Sequence, residues 1–313
     1  RDTLVLLPAD HASPPAFTLE WWYLTFVLKA EEDNAPVGLQ FTLFRLAGGT
    51  VSNWSNQQQW MGHVSLHTKN SHIFKERVAR GGVGNAGVEH APFSAFIDDW
   101  AWQSGSQHLF PSILTLPLTE GTAIQLRLSE TGPFVKHGEN GFSVKSADES
   151  LRSYYYSQPF IQASGTIYRE GRASHVEGQG WFDHEWTSEL ANDKALGWDW
   201  FSLHLNNGNK LMAFRMHTKD DAPFVTGTLI SANGQVSRLQ HDDLTLSPET
   251  FSQVAGRQIS TGWLIEVPSK GIAITTRPFK ANQFNSGLVP YYEGMIYGEG
   301  SHTATGFMEL TGY

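Results

Sequence analysis

Glu20-Trp21-Trp22-Tyr23-Leu24 and Asp199-Trp200-Phe201-Ser202-Leu203 share one pattern: a carboxylate, Trp, a second aromatic, any residue, then Leu. Each is followed, after a turn-rich gap, by an apolar stretch closing on Phe-Arg, at Phe44-Arg45 and Phe214-Arg215. Two motifs in the same order, about half a chain apart, indicate a duplicated β unit. Side chains alternate along a strand, so Glu20 shares a face with Trp22, Leu24, Phe26 and Leu28, and Asp199 shares one with Phe201, Leu203 and Leu205. Both carboxylates are therefore expected on the apolar side. Asn207-Gly208 reads as a two-residue hairpin turn. That centre sets Trp200 opposite Arg215 and places Met212, Phe214 and Met216 on the face of Asp199.

Working outward, strand-like alternation recurs at 22–28, 39–45, 61–67, 113–118, 124–128, 198–205, 211–216, 225–230, 263–267, 272–276 and 307–310. Between them lie Ala47-Gly48-Gly49, Gly81-Gly82-Val83-Gly84-Asn85 and Ala232-Asn233-Gly234, which read as turns. Residues 188–195 form the one helix candidate. The pattern predicts an all-β protein of two antiparallel barrel units, residues 1–165 and 166–313, because closed sheets accommodate inward carboxylates better than a dry sandwich does. The tract 138–158, with Tyr154-Tyr155-Tyr156, reads as the end of the first unit, and 165–180 as the opening of the second.

The 313 residues suit two domains of about 150 each. With 11 Trp, 19 Phe and 9 Tyr the chain can fill aromatic cores and line a pocket. A formal charge of −9 with no Lys/Arg-rich run argues against nucleic acid as a partner. The absence of cysteine excludes disulfides, thiolate metal sites and a cysteine nucleophile. No apolar run reaches the ~18–20 residues that span a bilayer as a helix, so no membrane span is expected. The first residue, Arg1, is compatible with a leader having been removed.

Three groups are candidates for chemistry. Trp181-Phe182-Asp183-His184-Glu185-Trp186, if extended, puts His184 between Phe182 and Trp186 on one face and Asp183 with Glu185 on the other. An imidazole among aromatics near a carboxylate is a tuned acid or base. Asp199 on an apolar face, with no cation expected on that face, should be held protonated by desolvation, as a proton donor to an alkene must be. Glu20 shares that logic. His63 and His67, four residues apart on a strand, are separated by about 13 Å and are not expected to ligate a metal together. No nucleophile elbow, phosphate-binding loop or zinc-protease motif occurs.

Pro8-Ala9-Asp10-His11 with Glu20-Trp21-Trp22-Tyr23, Gly180 through Trp186, Gly197-Trp198-Asp199-Trp200-Phe201, Tyr292-Glu293-Gly294 and Glu309 through Tyr313 together resemble the AttH-like proteins. These are related to bacterial carotenoid 1,2-hydratases and, more distantly, to fungal decalin-forming cyclases. The resemblance extends from end to end, with one departure at Thr25-Phe26, where Thr-Gly is expected. It implies a duplicated lipocalin-like fold with a hydrophobic ligand site, relatives that act on isoprenoid or polyene compounds, a periplasmic or otherwise exported protein, and an ABC transporter permease as partner.

The leading expectation is an exported barrel that binds a hydrophobic isoprenoid- or lipid-type molecule without a cofactor. The alternative is an acid/base enzyme of the hydratase or cyclase type that protonates an alkene. Asp199, Asp183 and His184 are the catalytic candidates. Glu20, Trp22, Tyr23, His63, Trp186, Trp198, Phe201, Tyr292 and Glu293 form the expected ligand-binding set, with no metal.

Overall fold

In a computed structural model of the protein, residues 5–11, 17–47, 58–189, 195–219 and 222–313 are described. The first sheet is built from β1 (Leu19–Ala30), β2 (Pro36–Ala47), β3 (Gln58–Thr68), β4 (Ser71–Arg80), β5 (Ala86–His90), β6 (Phe93–Ile97), β7 (Trp100–Ser104), β8 (Ser112–Thr119), β9 (Thr122–Glu130), the short β10 (Val135–Lys136) and β11 (Phe142–Val144), and the long β12 (Arg152–Arg169) and β13 (Arg172–Glu189). The second contains β14 (Ala195–Leu205), β15 (Lys210–Thr218), β16 (Phe224–Ile230), β17 (Val236–Leu239), β18 (Thr245–Val254), β19 (Arg257–Val267), β20 (Ile272–Pro278), β21 (Phe284–Asn285), β22 (Tyr291–Gly300) and β23 (Ala304–Leu310). Every strand expected from alternation falls inside one of these. Among the described residues the only helical turns are the short 3-10 segments Ala9–His11 and Pro268–Lys270. The helix candidate at 188–195 and the turn at Gly48-Gly49 lie largely outside the described residues.

Both sheets are antiparallel and must curl. The first runs β4-β3-β2-β1-β13-β12-β9-β8-β7-β6-β5, the second β17-β16-β15-β14-β23-β22-β20-β19-β18. The two ends of each order are consecutive in sequence, joined by residues 81–85 in one case and 240–244 in the other. Such a loop reaches at most ~20 Å, whereas a flat sheet of the first order would hold its ends ~48 Å apart. The glycine-rich turn 81–85 is thus the joint that forces a barrel. Around it, Arg77 of β4 donates to the carbonyl of Ile97 at 3.4 Å and lies 4.1 Å over the Trp100 ring. Gly62 of β3 faces the same two residues, and a Cβ there would come within 2.7 Å of the Ile97 side chain.

In each unit the first strand pairs with the last, β1 with β13 and β14 with β23, so the duplication is one of topology as well as motif. By contacts the chain divides into one unit of Arg1–Lys136 with Tyr154–Ser188 and another of His137–Ser153 with Glu189–Tyr313. The 165/166 boundary falls within β12. Segment 165–180, read above as the opening of the second half, runs through β12 and β13 of the first sheet. Its glycines serve close packing: a Cβ at Gly178 would sit 2.0 Å from the Val27 carbonyl oxygen, and one at Gly180 would sit 2.8 Å from the Phe26 ring. Phe26 lies directly across from Gly180, so the departure at Thr25-Phe26 is matched by a missing side chain on the neighbouring strand.

Candidate functional site

The inward face of the first unit carries a buried run of polar side chains. In register across β13, β1, β2 and β3 stand Trp186, Glu20, Arg45 and Trp60. Arg45 Nε donates to Glu20 Oε1 at 2.9 Å, and its Nη2 donates to the Phe17 carbonyl at 3.0 Å. The other oxygen, Glu20 Oε2, lies 2.7 Å from His184 Nε2. His184 Nδ1 lies 3.0 Å from the Tyr156 hydroxyl on β12, and that hydroxyl lies 2.5 Å from His11 Nδ1. Glu20, Arg45, Tyr156 and His184 are 0% exposed and His11 only 2%, so solvent screens none of these contacts. The Glu20 carboxylate can only accept, which fixes the proton of His184 on Nε2. His184 Nδ1 then accepts from the Tyr156 hydroxyl, whose oxygen accepts from His11 Nδ1–H.

Aromatic rings enclose this run. Trp22 stacks on the His184 ring at 4.7 Å and 21°, Trp186 lies 4.6 Å away on another side, and Phe134 lies 5.1 Å from His11. The Trp22 indole N–H reaches the His11 carbonyl at 3.4 Å. Burial pulls the His11 imidazole down to about 3, with His184, His90 and His108 adding to the effect. Burial also lifts the Tyr156 phenol well above its ordinary value, helped by Glu20 and Asp10, so it remains an O–H that both donates and accepts. The arrangement can move a proton between His11 and His184 through Tyr156.

Asp183, next to His184, points to the opposite face of β13. It accepts from the Tyr155 hydroxyl and the Trp181 indole, both at 2.7 Å, and from the Ser157 hydroxyl. Burial raises its carboxyl to about 7, opposed by these three donors and assisted by Glu185. Tyr23 and His63 share that outer face, in the register row Asp183, Tyr23, Thr42, His63, Glu76. His63 bonds Glu76 at 2.7 Å between the Phe44 and Phe74 rings, and burial lowers its pKa against the pull of Glu76. Neither Tyr23 nor His63 is brought together with Glu20, Trp22, His184 and Trp186. His63 and His67 both lie along extended β3.

In the second unit the expected hairpin register is corrected by one residue. Asp199, not Trp200, stands opposite Arg215, because the loop is the three residues 206–208 rather than two: Leu205 N–H bonds Asn209 O, and Gly208 takes a φ of 88°. A three-residue loop closing on a left-handed glycine shifts the pairing and exchanges faces. Arg215, Ala213 and Leu211 therefore share the face of Asp199, while Met212, Phe214 and Met216 turn the other way. A cation does fall on the face of Asp199, contrary to expectation: Arg215 is 3.6 Å from its Oδ2, and His217 Nε2 is 2.6 Å from the same oxygen. The Tyr313 hydroxyl donates to Oδ1 at 2.7 Å. The indole that meets Arg215 is Trp263, at 5.4 Å. Phe201 and Tyr292 line this unit's core, with Phe201 edge-on to Trp263 at 5.3 Å. Trp198, bonded to Glu309 at 3.2 Å, alternates with Asp199 to the other face, as Glu293 does with Tyr292.

His11, Tyr156 and Arg45 are functional candidates that sequence reasoning did not single out. All three were inside motifs already noticed: the Pro-Ala-Asp-His segment, the Tyr triplet and the Phe-Arg end of the repeat. Alternation places Arg45 across from Glu20 once β1 and β2 are paired, but no local signal picks Tyr156 from its two neighbours.

Two lipocalin-like barrel units, the first with an inward acid–imidazole–phenol run among aromatic rings, define a duplicated β-barrel protein. The chain belongs to the AttH-like family, whose model matches residues 1–313. It is similar to the crystal structure of an AttH protein from Nitrosomonas europaea, with 28% identity over 100% of this chain and 98% of that one and a TM-score of 0.88. It also shares the fold of kievitone hydratase from Nectria haematococca, at 14% identity, 98% and 93% coverage and a TM-score of 0.73. A comparison with curated proteins found no match. Among the described residues no helix is long and apolar enough to cross a membrane.

Proposed function

We propose that the protein is a cofactor-independent acid–base enzyme of the hydratase type, adding water to, or removing it from, a carbon–carbon double bond of an apolar compound held by the first barrel. The observation that carries this reading is the unbroken hydrogen-bonded run Arg45–Glu20–His184–Tyr156–His11 inside an aromatic enclosure. With the proton stored on His184, stabilised by Glu20, His184 Nδ1–H passes a proton to the Tyr156 oxygen, Tyr156 passes its own to His11 Nδ1, and His11 Nε2–H delivers one to the alkene carbon. The low proton affinity of buried His11 makes its protonated form a strong donor. The Phe134 ring, 5.1 Å from His11, stabilises the developing carbocation. Water then supplies oxygen to the cation, and its proton returns along the same route. The fold shared with a hydratase supports the reaction class.

The test is incubation of the purified protein with apolar isoprenoid and polyene compounds in oxygen-18 water, with products read by mass spectrometry. Labelled hydrate is expected from the wild type and not from Tyr156→Phe, while quenching of tryptophan fluorescence by the substrate persists in both. Equal turnover by Tyr156→Phe overturns the relay. Retention of a co-purified apolar molecule without conversion favours the second reading, a ligand-binding barrel, which rests on the aromatic lining of the same interior. Export and association with an ABC transporter are part of the proposal on the family resemblance alone. Cell fractionation and co-purification with the permease test them.

A further inference from the structure

We propose that the second unit carries its own proton-transfer site, in which His217 is the base, Asp199 holds its imidazole and Arg215 receives the negative charge left on a small oxygen acid, a phenol or an enol. The duplication left an acid facing an arginine across the first hairpin of each unit, Glu20 with Arg45 and Asp199 with Arg215. The imidazole is not a relic of the copy. In the first unit it comes from the last strand, where His184 stands across from Trp22, two residues beyond the acid. The equivalent position in the second unit, across from Phe201, is Met308. Here the imidazole comes from β15 instead, two residues beyond Arg215 and on the same face. Its cross-strand neighbour is Gly197, which has no side chain to block the imidazole from reaching Asp199.

The charged and titratable groups around His217 define its role. Asp199 Oδ2 is 2.6 Å from His217 Nε2, Tyr313 Oη is 3.4 Å from it, Arg215 lies 3.6 Å from the same carboxylate, and Arg257 bonds the Tyr313 carbonyl at 2.9 Å. At 2.6 Å a carboxylate faces only a protonated nitrogen, so in the proposed site the proton sits on Nε2 and Nδ1 is the base. Unlike the sealed first site, this one reaches solvent: the His217 side chain is 23% exposed and that of Arg215 is 17%, against 0% for His184 and Arg45. In the proposed step the ligand O–H bond breaks and an N–H bond forms at Nδ1. The electron pair stays on the ligand oxygen beside the guanidinium, and Asp199 stabilises the imidazolium.

The probe is 4-nitrophenol, added to the full chain below the probe's own pKa, with the yellow phenolate followed by absorbance. A saturable rise is expected with the wild type. His217→Gln and Arg215→Gln should each weaken it about tenfold or more, as for loss of a hydrogen bond to a charged group. Tyr156→Phe should leave it intact, so failure here and failure of the first-unit relay are read separately. No saturable rise in the wild type, or an undiminished rise in His217→Gln, overturns the proposal. Should His217→Gln not fold, the side-chain nitrogen resonances of wild-type His217 decide the matter. They must move from neutral imidazole to imidazolium as the probe binds, and unmoved resonances refute the site.

Discussion

Replacing Asp183 by Asn and varying pH tests whether this carboxyl is a buried proton reservoir or a structural acceptor. Its carboxyl is raised from 3.8 to about 7, chiefly by burial, with Ser157, Tyr155 and Trp181 pulling it down and Glu185 pushing it up. Below pH 3.8 the group is protonated whether the chain is folded or not, and it makes no difference to stability. Between that value and about 7 the folded state keeps a proton that the unfolded state has lost, so stability falls as pH rises, by ~1.4 kcal/mol per pH unit. Integrated over the window, the penalty is on the order of 4 kcal/mol, complete above pH 7. Urea unfolding of wild type and Asp183→Asn from pH 4 to 8.5 measures it. The difference, wild type minus variant, should decline across the window and level off above it. His11 and every other titrating group cancel in that difference. A difference that is flat, or that rises with pH, would mean that the three donors outweigh burial and hold Asp183 ionised, refuting the account given of this face.

Arg45→Met should lower stability by about 3–5 kcal/mol in urea titration, since it leaves Glu20 buried without its guanidinium; a loss below ~1 kcal/mol would show that the pair is not as sealed as described. His11 is driven down to about 3, so the unfolded chain binds a proton there first and stability is lost as pH falls from 6.5 toward 3. His11→Phe should flatten that part of the acid limb by several kcal/mol, measured against wild type by the same titration. Gly180→Val should cost about 1–3 kcal/mol by overpacking against Phe26, and Phe26→Ala in the same chain should recover part of it, a coupling read from the double-mutant cycle of melting temperatures.

Alternation along single strands was legible because it is local. A side chain's face depends only on its parity, and apolar residues at every second position mark the inner one. That reasoning placed Glu20 and Trp22 on the apolar face, set His184 and Asp183 on opposite faces of their strand, and put every expected strand within an observed one. Register was less legible, since Asn207-Gly208 serves a two- or a three-residue loop equally well. The difference of one residue moved Arg215 onto the face of Asp199.

Taken by itself, the sequence determined the β class, the duplication and the apolar face that Glu20 and Asp199 share with their strand neighbours, all carried by short-range patterns. Which distant strands pair was decided only by the tertiary structure, because strand edges offer the same backbone donors and acceptors to any partner, and closure of the whole barrel selects among them. The pairing of β1 with β13 sets Glu20 against a histidine 164 residues away, and the curl of β12 brings Tyr156 between that histidine and His11.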